Sequence, residues 1–153
     1  MTDPTTEAAV RWLASVAPEP HACRLEWEGD PFRTMLLPAG SLWDVVLVPG
    51  RIGFPAFDVL SGLTDAPGPV LADLGGTRIG FFVPPGTADH FVGTGIRGAG
   101  RGTWVVVPCP GRSSGGMRWL VPPDGTGILN GLVTLEHALH AAAARLAEED
   151  RQL

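Results

Sequence analysis

Residues 102–119, "GTWVVVPCPGRSSGGMRW", decide how the chain is read. The segment opens as an apolar, β-branched run and meets Pro108 and Pro110. It then turns through glycine and serine with Arg112 near the tip, and resumes at Met117 with a second apolar run. β-Branched and aromatic runs bounded by proline and glycine read as strands. The segment therefore predicts two strands, "TWVVVP" and "MRWLVPP", joined by a turn that presents an arginine.

The same logic extends upstream. "WDVVLVPG" is a continuous apolar run between turn residues, the pattern of a central strand. "FPAFDVLSGL" predicts a helix opening at Pro55, with Phe57, Leu60 and Leu63 on one side. "PVLAD" and "RIGFFVPPG" read as short strands at hairpin spacing across "LGGT". "TADHF" predicts one helical turn, and "GTGIRGAGRGT" a glycine-rich loop. Near the start, "DPTTEAAVRWLASVA" predicts a helix capped by Asp3, with Pro4 in its first turn and Val10, Leu13 and Val16/Ala17 as its apolar stripe. "ACRLEWE" alternates Cys23, Leu25 and Trp27 with charged residues and predicts a half-buried strand, with "FRTMLLP" as its hairpin partner. The last segment, "NGLVTLEHALHAAAARLAEED", predicts an amphipathic helix with Leu132, Leu135, Leu139, Ala142 and Leu146 facing inward. Helices at both ends and in the middle, six or seven short strands and no internal repeat predict one α+β domain: a central, mostly antiparallel sheet with helices packed on it.

Composition narrows the function. With 153 residues, 44% apolar and 18% charged, the chain can bury a core and is not of disordered type. No apolar run reaches the length of a membrane span, and "MTDPTTEAAV" lacks the basic and apolar regions of a signal peptide. A cytoplasmic protein without membrane partners is expected. Cys23 and Cys109 flank no further ligand at zinc spacing and read as buried thiols. A net charge of −5 argues against a non-specific coat for nucleic acid. Residues 90–123, however, hold four arginines (97, 101, 112 and 118) and no acid; this window is +4, and since the whole chain is −5 the remainder is −9. A locally positive face on an acidic protein suits a selective anion site. Arg97 and Arg101 in the glycine loop are candidates to fork onto a phosphate, although no phosphate-loop fingerprint accompanies them.

Other constellations read as surface or core. His137 and His140 lie off the leucine stripe of the last helix and lack further metal ligands. Ser113 and Ser114 have no nucleophile elbow, and His90 reads as a surface histidine. No paired acids at D-x-D or D-x-E spacing occur; Asp44 and Asp73 stand alone in their segments.

Several of these residues carry a family resemblance. The chain resembles the N-terminal prim-pol domain of bifunctional DNA primase/polymerases, of the archaeo-eukaryotic primase superfamily. Such domains typically carry R-G-x-G-G-Y-V-V-A-P-P-S-x-H-x-S-G-G-x-Y-x-W. Here Arg97-Gly98 match the R-G, Trp104-Val105-Val106 the Y-V-V, Pro108 the first proline, Ser114-Gly115-Gly116 the S-G-G and Trp119 the closing tryptophan. "WDVVLVPGRIGFPAFDVLSGL" is similar to the family's first core strand, turn and helix, and "LGGTRIGFFVPPG" to its G-G-x-H-x-Y-F strand. A set of short actinobacterial proteins labelled prim-pol shares "WDVV", "FFVPPGT" and "WLVPP". The likeness covers residues 40–123.

The resemblance implies a primase-polymerase-like, RRM-related sheet. It also implies that catalysis is lost. Leu47 and Pro49 stand where the metal-binding acids belong, Pro110 and Arg112 replace the serine and histidine of S-x-H, and Arg78 or Ile79 replaces the strand histidine. The expected function is a catalytically degenerate binding or regulatory module with no cofactor, taking a nucleotide or a single-stranded nucleic acid end. Arg97, Arg101, Arg112 and Arg118 are the anion-binding candidates, and Trp104 and Trp119 the stacking candidates. Two alternatives stand beside it: a protein-interaction module or homodimer, and an active primase/polymerase that holds magnesium through Asp44 with Asp73.

Overall fold

The computed structural model describes residues 3–73, 76–91 and 94–152. Within them the expected α+β class and antiparallel sheet are present. The elements are α1 (Pro4–Ala14), α2 (Pro20–Gly29), β1 (Thr34–Pro38), β2 (Asp44–Pro49), α3 (Gly50–Leu63), β3 (Val70–Asp73), β4 (Arg78–Val83), a 3-10 turn (Thr87–Phe91), β5 (Arg97–Ala99), β6 (Trp104–Pro108), β7 (Arg118–Val121) and α4 (Leu132–Gln152).

Five strands form one sheet in the order β5-β2-β4-β3-β7, and β1 pairs with β6 in a separate two-stranded ribbon; every pairing is antiparallel. The large sheet is buried on both faces, which is why β2 reads as an unbroken apolar run. Val46 and Val48 of β2 and Ile79 and Phe81 of β4 pack with Ala56 and Leu60 of α3 and Leu135 and Leu139 of α4. On the opposite face Val45, Leu71 and Phe82 pack with Trp43, with Leu13 of α1, with Cys23 and Trp27 of α2, and with Leu37 and Val107 of the ribbon. Asn130 pins the approach to α4: its Oδ1 accepts the Gly68 N–H at 2.9 Å, and its Nδ2 donates to the Pro69 and Phe82 carbonyls, each at 3.1 Å.

Several expectations are corrected. "ACRLEWE" is helical. Pro20 opens α2, and the buried pair is Cys23 and Trp27, four apart on one helical face, while Leu25 is 51% exposed. Two periods fit this short run, and packing against α1 selects the helical one. The partner of β1 is accordingly β6. The opening segment is no simple hairpin either. β6 joins the ribbon while β7 joins the edge of the large sheet beside β3, so the Arg112 turn crosses between two sheets. α3 begins at Gly50 and carries Pro55 inside it; Leu60 is buried, but Leu63 is 48% exposed. The glycine-rich loop contains a strand, β5, at the edge beside β2. Asp3 makes no side-chain cap, although its carbonyl accepts the Glu7 N–H at 2.9 Å.

The remaining elements form as read. β3 and β4 pair antiparallel, although Leu74 and Gly75 of the intervening turn lie outside the described residues. "TADHF" makes the 3-10 turn. α4 buries Leu135, Leu139 and Ala142 and leaves His137 and His140 exposed.

Candidate functional site

The four candidate arginines are all exposed, and the fold does not gather them. Arg97 lies on β5, opposite Leu47, at one edge of the large sheet; Arg118 lies on β7 at the other edge. Four strand spacings separate them, about 19 Å. Arg101 borders a pocket beside Asp44, and Arg112 a different groove.

The stacking candidates also part. Trp119 packs on Phe82 with ring centroids 5.5 Å apart and donates its indole N–H to the Pro108 carbonyl at 3.3 Å, so it serves the core. Trp104 is 48% exposed on the outer face of the ribbon, beside exposed Val106 and the cross-strand Leu36.

The Asp44 and Asp73 pairing fails on geometry. Asp44 is opposite Val83 and Asp73 is opposite Arg78, at the two ends of β4. Five residues of extended strand lie between those rows, about 17 Å, whereas two metal ions in one catalytic site sit about 4 Å apart. Asp73 instead accepts from Arg78 at 2.9 Å. Leu47 packs into the core and Pro49 is exposed, so neither supplies a ligand oxygen from its side chain. Among the described residues no three of His, Cys, Asp and Glu converge to hold a metal ion.

Asp44 has a structural role that its sequence position did not disclose. It is 1% exposed, and its Oδ2 accepts the N–H groups of Gly86 at 2.8 Å and Ala88 at 2.9 Å. These donors, one just before the 3-10 turn and one within it, would otherwise face an external anion. The protein's own carboxylate takes that place, so this turn, which precedes the glycine-rich loop in the chain, offers those two donors to no phosphate.

Arg112 sits in a more promising setting. A groove of about 420 Å³ runs between α1, α2 and the turn after β6, with Arg11, Arg24 and Arg112 around it, Val10 and Trp27 in its wall, and Glu7 and Glu28 alongside. None of these five charged groups is in an ion pair among the described residues. Arg112 lies over the Phe32 ring, 5.6 Å from its centroid, which orients the guanidinium without neutralising it. The turn is held by the Arg112 N–H to the Cys109 carbonyl at 3.0 Å and by the Ser114 hydroxyl donating to the Phe32 carbonyl.

Cys109 forms part of the groove wall. Burial pushes its thiol up from 9.0 to about 11; Arg112 opposes the rise, and Cys23 adds to it. Burial also raises the Cys23 thiol. Neither is a reactive thiolate at neutral pH. His90 faces Glu136 of α4 at 3.3 Å.

Sequence reasoning found Arg112 and missed Arg11 and Arg24. Each has an acid four residues away, Glu7 and Glu28, and such spacing reads as a self-contained helical ion pair. In comparison with known proteins, the chain matches no family model, no curated protein and no solved structure. The prim-pol resemblance therefore rests on the quoted residues alone.

Proposed function

We propose that the chain is a non-catalytic, prim-pol-like module that binds an anionic ligand of the nucleotide class in the Arg11–Arg24–Arg112 groove. The observation that carries this reading is three guanidinium groups, free of ion-pair partners among the described residues, around one partly apolar groove. Guanidinium groups fork onto phosphate oxygens. The apolar wall at Val10 and Trp27 suits a base or sugar, and Glu7 and Glu28 suit the N–H donors of a base edge. A bare inorganic phosphate would leave those last features unused.

Titration with adenosine triphosphate and with a short single-stranded oligonucleotide at low ionic strength tests the proposal. Binding that weakens as salt rises, and weakens again in Arg112→Ala, supports it. Absence of binding by either probe at low salt ends it.

A protein-contact role has one observation of its own, the exposed apolar face of Leu36, Trp104 and Val106 on the ribbon. A molecular mass that rises with protein concentration, and ceases to do so in Trp104→Ser, favours that reading.

A further inference from the structure

The groove that holds Arg112 has two chemically different ends. α1 and α2 are joined by only five residues, and both reach the turn after β6. A Cβ on Gly111 would lie 3.7 Å from the Thr6 side chain, near the start of α1. Arg112 lies over the ring of Phe32, just past the end of α2. The start of α1 and the end of α2 therefore meet at this turn, and the two helices run antiparallel.

That orientation sorts the charges. Glu7 in the first turn of α1 and Glu28 in the last turn of α2 stand at the Arg112 end. Arg11 and Arg24 stand one helical turn further along their helices, about 6 Å away. Glu7 with Arg11, and Arg24 with Glu28, have the i, i+4 spacing of a helical ion pair. Neither pair closes among the described residues. Four of the five side chains are exposed and Arg24 is half-buried, so a ligand in the groove can reach them.

The end with two arginines suits phosphate oxygens. The other end sets two carboxylates beside one guanidinium, and it calls for a group that offers acceptors and donors side by side. Guanine is such a group. Its O6 and N7 accept from an arginine fork, and its N1–H and N2 amino group donate to a carboxylate. Adenine leaves Arg112 one acceptor, N7, and turns the lone pair of N1 toward a carboxylate.

We propose that the groove selects a guanine nucleotide, with phosphates at Arg11 and Arg24 and the base between Arg112 and the carboxylates of Glu7 and Glu28. This inference rests on the nucleotide reading of the groove and adds the identity of the base. A site that hydrogen-bonds particular groups of a ligand rejects the analogue that lacks them.

The test is a titration of the full chain with guanosine, inosine and adenosine triphosphates at one low ionic strength. The three carry the same phosphates, so any difference comes from the base. Guanosine triphosphate should bind about tenfold tighter than adenosine triphosphate, because hydrogen bonds to charged groups are at stake. Inosine triphosphate, which lacks only the N2 amino group, should fall between them. In the double variant Glu7→Ala, Glu28→Ala the preference should vanish while adenosine triphosphate binds no more weakly. Equal affinity for guanosine and adenosine triphosphates in the native chain overturns the inference and leaves the nucleotide reading standing. A preference that survives in the double variant also overturns it. Absence of binding by all three overturns the nucleotide reading and this inference together.

Discussion

In the Arg112 groove the charged atoms stand on exposed or half-buried side chains that make no ion pair among the described residues; in the Asp44 pocket the principal charge is buried and already bonded to backbone. Both pockets adjoin turns rich in glycine and proline, and both include an arginine. They differ in what the backbone donors are doing. At the 3-10 turn the N–H groups of Gly86 and Ala88 are taken by Asp44, so that turn carries its own anion. At the turn after β6 the Arg112 and Ser114 N–H groups close the turn, and the charge around the groove stands on side chains. The decisive question is whether the backbone donors are still vacant.

The largest expected effect is on the buried side of this comparison. Asp44→Ala strands two backbone donors beneath the surface and should cost about 3 kcal/mol of stability, since hydrogen bonds to charged groups contribute about 1.5–3 kcal/mol each. Urea denaturation measures it, and a loss below about 1 kcal/mol would show that the turn does not depend on the carboxylate.

Next comes the thiol in the groove wall. Cys109 holds its proton to about 11 when folded but only to its ordinary 9.0 when unfolded. Its contribution is therefore complete below pH 9.0 and is lost as pH rises toward 11. Two pH units correspond to about 2–3 kcal/mol. Stability measured across that interval should fall more steeply in the native chain than in Cys109→Ala, and parallel curves would refute the assignment.

Smaller still is the effect on ligand affinity. Arg112→Ala should weaken nucleotide binding about tenfold, about 1.4 kcal/mol, while changing stability by less than about 0.5 kcal/mol, because the side chain is exposed. Arg97→Ala and Arg118→Ala, at the two sheet edges, should change that affinity less than about twofold apart from general screening. An equal loss at all three positions would mean that the four arginines act as a diffuse field and not through one groove.

The sequence disclosed what depends on local pattern. α1, α4, β2, the β3–β4 pair and the 3-10 turn follow from periodicity and turn residues, and the fold class follows from their order. Strand partners over long distances escaped it. β6 and β7 are neighbours in sequence, yet they pair with β1 and β3, from 46 to 74 positions away in register terms. No local signal separates that outcome from a hairpin. α2 was misread because three alternating apolar residues also contain an i, i+4 pair. Of the site, Arg112 was visible as an arginine isolated in a turn, whereas Arg11 and Arg24 were hidden behind neighbouring acids. Asp44 did leave a trace: an acid at the head of an apolar run must find donors when buried, and this requirement could have marked it as structural.

The most direct test of the central claim is an amide and indole chemical-shift map of the chain titrated with adenosine triphosphate at low ionic strength. The account predicts saturable shifts at the Trp27 indole, at Arg11 and Arg24, and at the turn from Cys109 to Arg112. Shifts centred instead on Gly86, Ala88, Gly98 and Gly100, or no saturable shift anywhere, would contradict it.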